Sequence, residues 1–242
     1  MTTATERFSP RATARAAGVL YLIIIVGGVF AQIGVRERLV VAGDAAATAH
    51  NILSHALLYR CGFAAEVFCL LCNVPINYLL YQLFGFIDRR TAVTMVLFAS
   101  VGTAVEAVSL LTHYAPLILL ADGPAASAFT PVQLQTAAYL SLKLFDYGFM
   151  IALAFFGGFC IALASLIMRA RFFPRVIAGL LFLEGGAYLL NSFAHFLAPP
   201  IGDRVFPFLM VSGIAEISFC LWLLIVGVNG QKWRAQADEQ GV

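Results

Sequence analysis

Long apolar stretches dominate the chain, at about residues 16–35, 60–84, 91–118, 138–168, 176–198 and 206–228. Each is long enough to cross ~30 Å of hydrocarbon at about 1.5 Å per residue. A backbone in that solvent has to satisfy its own polar groups, so the pattern predicts six transmembrane helices. Between the first two stretches the polar positions take up a different period. In Gly43–Arg60, GDAAATAHNILSHALLYR, the residues Asp44, Thr48, Asn51 and His55 recur at i, i+4, i+7 and i+11, on one helical face. Asp44 has N-cap chemistry, and the alanines after it have the best helix propensity. The expected fold is therefore all-α: a polytopic bundle of six transmembrane helices over 16–228, with one extracytoplasmic amphipathic helix between spans 1 and 2. The flanking segments 1–15 and 229–242 read as polar cytoplasmic tails. Pro75 falls inside the second span and is expected to kink it, with Asn73 or Asn77 satisfying a freed carbonyl.

Composition agrees with that solvent: 61% of residues are hydrophobic, 12% are charged, and the mean hydropathy is +0.89. Soluble domains carry roughly 25% charged residues. The first apolar run is too long for a typical signal-peptide core and lacks a small-x-small cleavage site, so it reads as a retained helix. Lys and Arg divide unevenly between the two sets of loops. Arg7, Arg11, Arg15, Arg89, Arg90, Arg169, Arg171, Arg175, Lys232 and Arg234 fall on one side, and Arg36, Arg38, Arg60 and Arg204 on the other. This 10-to-4 bias places both termini in the cytoplasm, in a cell (inner) membrane. The net charge of +2 reports the same bias and gives no basis for a nucleic-acid partner. Cys61, Cys69, Cys72, Cys160 and Cys220 lie in or at the edge of spans, so the C-x-x-C string at Cys69 and Cys72 reads as core packing, not redox chemistry.

Several strings resemble a known family. Tyr21-Leu22, Gly43-Asp44, Ala47-Thr48, Asn51-Ile52 and Arg60 are similar to the N-terminal signature of a bacterial integral-membrane family, domain of unknown function 4386. Phe155-Phe156-Gly157, Pro174, Tyr188-Leu189, Ala215-Glu216, Trp222-Leu223-Leu224 and Gly227 resemble its C-terminal half. The resemblance covers roughly 15–229 and implies a multi-pass membrane protein, with no activity attached. The chain departs from the family pattern where Phe159 and Phe145-Asp146 replace usual histidines and Asn73 a usual aspartate. His50, His55, Lys143 and His195 are additions to it.

Ionisable residues inside spans are costly, by about 2.5–3.5 kcal/mol each near the centre, and so point to a function. They are Glu66, Glu106, His113, Lys143, Asp146, Glu184, His195 and Glu216. Counted along the spans, most lie in the outer half, with Glu106 and Glu216 near the middle and Glu184 leaning inward. That grouping predicts an outward-opening polar cavity in which Glu66, Asp146 and Glu216 converge as acid/base groups. Asp44, Thr48, Asn51, His55, Arg60, Glu106, Asn191 and His195 would contact substrate. The plainer readings stand beside this one. Lys143 and Asp146 at i, i+3 can neutralise each other, Asp44 can simply cap its helix, and Arg60 can anchor a span at headgroup level. His50 and His55 point ~140° apart on a helix, and no H-x-x-x-H or H-E-x-x-H string occurs, so no metal or cofactor is assigned. No G-x-S-x-G, P-loop or G-x-G-x-x-G is present. The expected function is an intramembrane acid/base enzyme acting on a lipid-soluble, isoprenoid or quinone-like compound. Membrane lipid and a hydrophobic small molecule are its partners. The alternative is a non-enzymatic carrier, sensor or assembly partner.

Overall fold

A computed structural model describes residues 9–121, 126–198 and 210–241. Arg7, Arg204 and the first residues of the sixth apolar stretch, 206–209, lie outside these residues. Every regular element among the described residues is helical. Helix α1 (Pro10–Val29) passes through a π-helical segment, Phe30–Arg36, into the short α2 (Glu37–Leu39). Then follow α3 (Ala45–Ser54), α4 (Ala56–Phe84), α5 (Arg89–Leu119), α6 (Pro131–Arg169), α7 (Arg175–Leu197) and α8 (Met210–Leu221). A second π-helical segment, Trp222–Val226, closes α8, and α9 is Gly230–Glu239.

Five helical runs are long and apolar enough to cross a membrane: Pro10–Leu39, Ala56–Phe84, Arg89–Leu119, Pro131–Arg169 and Arg175–Leu197. Ser212–Val226 and Gly230–Glu239, bent through 98° at a short break, are long and apolar enough only when taken together, and make a sixth candidate if counted as one span. The run Pro10–Leu39 and helices α4, α5 and α6 outrun the apolar stretches that mark them. At 39 residues α6 is nearly twice the ~20 that a span requires. The side chains these helices leave uncovered are apolar: Leu71 and Val74 on α4, Val108 and Leu111 on α5, Val176 and Leu183 on α7. A surface of that kind is stable against lipid tails and not against water. The chain is a multi-pass membrane protein.

Packing divides the chain into two compact units, with boundaries that fall inside α1, α4, α5 and α6. The first comprises Met1–Ile23, Cys72–Gly102 and Leu153–Val242. Its core is aromatic. Phe84 stacks on Phe172 and meets Phe173 edge-on, both at 5.7 Å between centroids, and Phe173 reaches Phe219 and Trp222. Phe172 and Phe173 belong to the short turn before α7, and burying each contributes roughly 1.5–3 kcal/mol. The segment after Asn229, read from sequence as a polar tail, contains a docked helix. The Asn229 side chain caps α9, and the Trp233 indole N–H donates to the Leu83 carbonyl at 2.9 Å. Gln236 bonds the Arg169 carbonyl and the Arg171 amide, and Arg171 pairs with Glu239.

The second unit comprises Ile24–Leu71 and Thr103–Ala152. Val35, Leu39, Ile52, Tyr59, Leu117 and Leu142 form its buried centre. Gly148 lets α6 lie directly on α5, since a Cβ there would stand 2.0 Å from the Ser109 hydroxyl. Asp44 is the N-cap of α3, as its position predicts, accepting from the Ala47 amide at 2.8 Å. The kink expected at Pro75 does not interrupt α4, and Asn77 donates to the Asn73 carbonyl at 2.7 Å.

Candidate functional site

The polar face of α3 turns toward its own connection. Thr48 is buried; its hydroxyl donates to the Asp44 carbonyl at 2.7 Å and accepts from the Val41 amide at 2.9 Å. Asn51 donates to the Leu39 carbonyl at 3.2 Å. These bonds satisfy the backbone of the corner between α2 and α3. His55 is exposed and occupies the break between α3 and α4, where φ −122° and ψ 36° leave the helical region. The Asn51 carbonyl there receives the His55 backbone N–H at 3.0 Å and faces its ring Nδ1 at 3.1 Å. Thr48 and Asn51 thus brace the corner, and His55 stands exposed at the helix break. Arg60 is exposed one turn into α4.

Beneath this corner, still within the second unit, four helical runs deliver one charged cluster. The π-helical segment after α1 ends at Arg36, α4 supplies Glu66, α5 supplies His113 and α6 supplies Phe145. Such segments re-phase a helix and recur at functional sites. The Glu66 Oε2 lies 2.7 Å from His113 Nδ1, and its Oε1 lies 3.7 Å from the Arg36 guanidinium. Arg36 also bonds Gln32 and stacks its guanidinium over the Phe145 ring, 4.5 Å from the centroid. Tyr59 donates its hydroxyl to the His113 carbonyl. The imidazole is 1% exposed and walled by the rings of Tyr59, Phe63 and Phe145 at 5.1, 6.2 and 4.8 Å. Its Nε2 is buried with no hydrogen-bond partner. Glu106, seven residues before His113 and so on the same face of α5, feels the charges of Glu66 and Arg36.

The other predicted carboxylates find different partners. Asp146 pairs with Lys143 at 3.6 Å, with both side chains about half exposed, 51% and 48%. Lys143 also approaches the Tyr139 ring. Glu216 belongs to the first unit, where its Oε1 accepts from the Tyr188 hydroxyl at 2.7 Å. Glu66, Asp146 and Glu216 therefore have three separate sets of contacts. Asn191 is buried on α7, and His195 is half-buried one turn further along with its ring edge-on to Phe196. Among the described residues no three His, Cys, Asp or Glu side chains converge as metal ligands.

Sequence reading missed Arg36 and His113 as site residues. His113 was visible as an in-span histidine. Its partnership with Glu66 bridges 47 positions, and no local pattern encodes that.

Chemically, a carboxylate on Nδ1 fixes the imidazole tautomer and makes Nε2 the basic atom, as in hydrolase dyads. A family model described as "Domain of unknown function (DUF4386)" matches residues 16–227. No curated protein and no solved structure matches the chain.

Proposed function

The chain belongs to this family of unknown function, DUF4386, and from that premise we propose that it is an intramembrane acid/base enzyme acting on a lipid-soluble small molecule. The observation that carries the reading is the Glu66–His113 pair at 2.7 Å, with His113 Nε2 buried and unpartnered among aromatic rings. Arg36 pairs with Glu66, Glu66 orients His113, and Nε2 takes a proton from substrate in surroundings poor in water. General base catalysis of this type contributes about 10²–10⁴-fold. Glu106, within electrostatic reach of Glu66 and Arg36, is the acid that returns a proton. Asp146, Glu216 and the α3 residues take no part in this step. The proposal keeps six spans, with both termini on the cytoplasmic side of the cell membrane, as the 10-to-4 basic bias supports.

A second reading is favoured by one specific feature. Arg36, Glu66, His113 and Phe145 come from four different helical runs, so the cluster is equally suited to hold a carrier, sensor or assembly partner together. Breaking a buried pair costs about 3–5 kcal/mol. Glu66→Ala should therefore destabilise the detergent-solubilised protein by that order under either reading. The readings part on product analysis. Lipid extracts of cells expressing the wild type should differ in at least one apolar compound from extracts of cells carrying an equal amount of folded His113→Gln. If wild-type and His113→Gln extracts match each other and the empty-vector control, the enzyme reading fails and the non-enzymatic one replaces it.

A further inference from the structure

A second buried polar group lies wholly within the first unit, and the His113 chemistry leaves it unused. On α7, Glu184, Tyr188, Asn191 and His195 stand at i, i+4, i+7 and i+11, on one face. Glu184 is 0% exposed, its carboxyl oxygens make no hydrogen bond of ordinary geometry, and Glu216 and Tyr188 are the polar side chains beside them. Glu216 on α8 lies within electrostatic reach of Glu184 and holds the Tyr188 hydroxyl. The other titratable groups facing the pair are Tyr21 from α1, Cys160 from α6 and Cys220 from α8. All are neutral in their ordinary state, and among the described residues no Arg, Lys or His forms an ion pair with either carboxyl. Two ionised carboxylates side by side in an apolar interior are too costly to persist, so at least one takes up a proton or another cation. A donor set made of carboxyl and phenol oxygens suits a hard cation and not a thiophilic one.

We propose that Glu184, Glu216 and Tyr188 form an intramembrane site for one exchangeable hard monovalent cation, a hydron or a sodium ion. One carboxyl keeps its own proton, and the bound cation neutralises the other. The wall behind Glu184 is rigid. A Cβ on the adjacent Gly185 would stand 2.8 Å from the Gly157 carbonyl, and one on Gly157 would stand 2.9 Å from the Gly185 carbonyl. Helices α6 and α7 are thus in backbone contact beside the pair, which leaves the carboxyl side chains as the groups able to adjust to a ligand.

The test is labelling of the full chain in liposomes with dicyclohexylcarbodiimide, an apolar reagent that adds the O–H of an un-ionised carboxylic acid across its C=N bond. Peptide mass spectrometry should find the adduct on Glu184 or Glu216. Its yield should fall about tenfold per pH unit on the alkaline side of the site's titration. Replacing choline chloride with sodium chloride at equal ionic strength lowers the yield if sodium binds, whereas a response to pH alone identifies the hydron. Adducts on these residues that respond to neither pH nor sodium overturn the proposal, as do adducts confined to Glu66 or Glu106. Thermal unfolding supplies a second measurement if the reagent fails to react. The wild-type midpoint should shift with pH or sodium more than that of Glu184→Gln or Glu216→Gln. Equal shifts in all three proteins overturn the site.

Discussion

Asp88 shows how one side chain gives a measurable pH response outside the spans. It precedes α5 and accepts from the Thr91 amide at 3.2 Å, the Thr91 hydroxyl at 3.0 Å and the Arg90 amide at 3.0 Å. Arg169, at the end of α6, donates to it at 2.8 Å. The hydrogen bonds from Thr91 and then Arg169 hold its carboxyl below the ordinary carboxylate range. A depressed folded-state value means that the stabilisation is present above the unfolded value, about 3.9, and is lost as pH falls through the folded value. Asp88→Asn should thus have a lower unfolding midpoint than the wild type at neutral pH, and the difference should narrow below about pH 4. A constant difference down to strongly acidic pH would show that the charge on Asp88 contributes nothing. The same residue scale separates what could be read from what could not. The N-cap role of Asp44 depends on the three residues that follow it and is legible in sequence. The meeting of Glu66 with His113 depends on which faces of α4 and α5 are turned together, and is not.

Among elements, the contact of α6 with α7 allows a controlled comparison. Gly185 faces the Gly157 carbonyl and Ile161, whereas its neighbour Gly186 has nothing within 4 Å of an added Cβ. Gly186→Ala should be neutral or stabilising, by up to about 1 kcal/mol, because alanine is the better helix former. Gly185→Ala has the same propensity gain but forces two backbones apart, so it should destabilise, by about 1–3 kcal/mol. Unfolding midpoints in detergent check both, and equal effects would disprove the close approach. Element lengths explain the placement of Asp146. Since α6 exceeds a membrane thickness, Lys143 and Asp146 need not be enclosed and can pair at its exposed side. The α7 stripe from Glu184 to His195 was present in the sequence in the same i, i+4, i+7, i+11 form as the α3 stripe. Sorting by depth instead of by face concealed it.

For the molecule as a whole, the distribution of basic residues is a prediction about orientation. In a variant with its five cysteines replaced, Ala45→Cys should react with an impermeant maleimide added outside intact cells. Lys232→Cys, on the first turn of α9, should react only after the membrane is opened. Reaction of position 232 from outside would reverse the topology and place the 10-residue basic side away from the cytoplasm. Docking of α9 adds to this expectation, since Trp233 ties it to the end of α4 and Gln236 to the end of α6. The segment after Asn229 therefore shares its side of the membrane with those two helix ends.

What the sequence determined by itself was the solvent and the secondary structure. Long apolar stretches require a bilayer, a bilayer requires internally bonded backbone, and helices provide it within one segment. The cap of α3 and the family strings are likewise local signals. Only tertiary structure decided which acid meets which partner. Depth along a span follows from counting residues, but direction around it depends on helix packing and on register. At Phe30–Arg36 a π-helical segment shifts that register just before Arg36. Glu66 has His113 and Arg36 as partners, Asp146 has Lys143, and Glu216 has Tyr188 with Glu184 nearby. The reason is physical: a buried charge is stabilised only by groups within a few ångströms, and packing alone determines which groups those are.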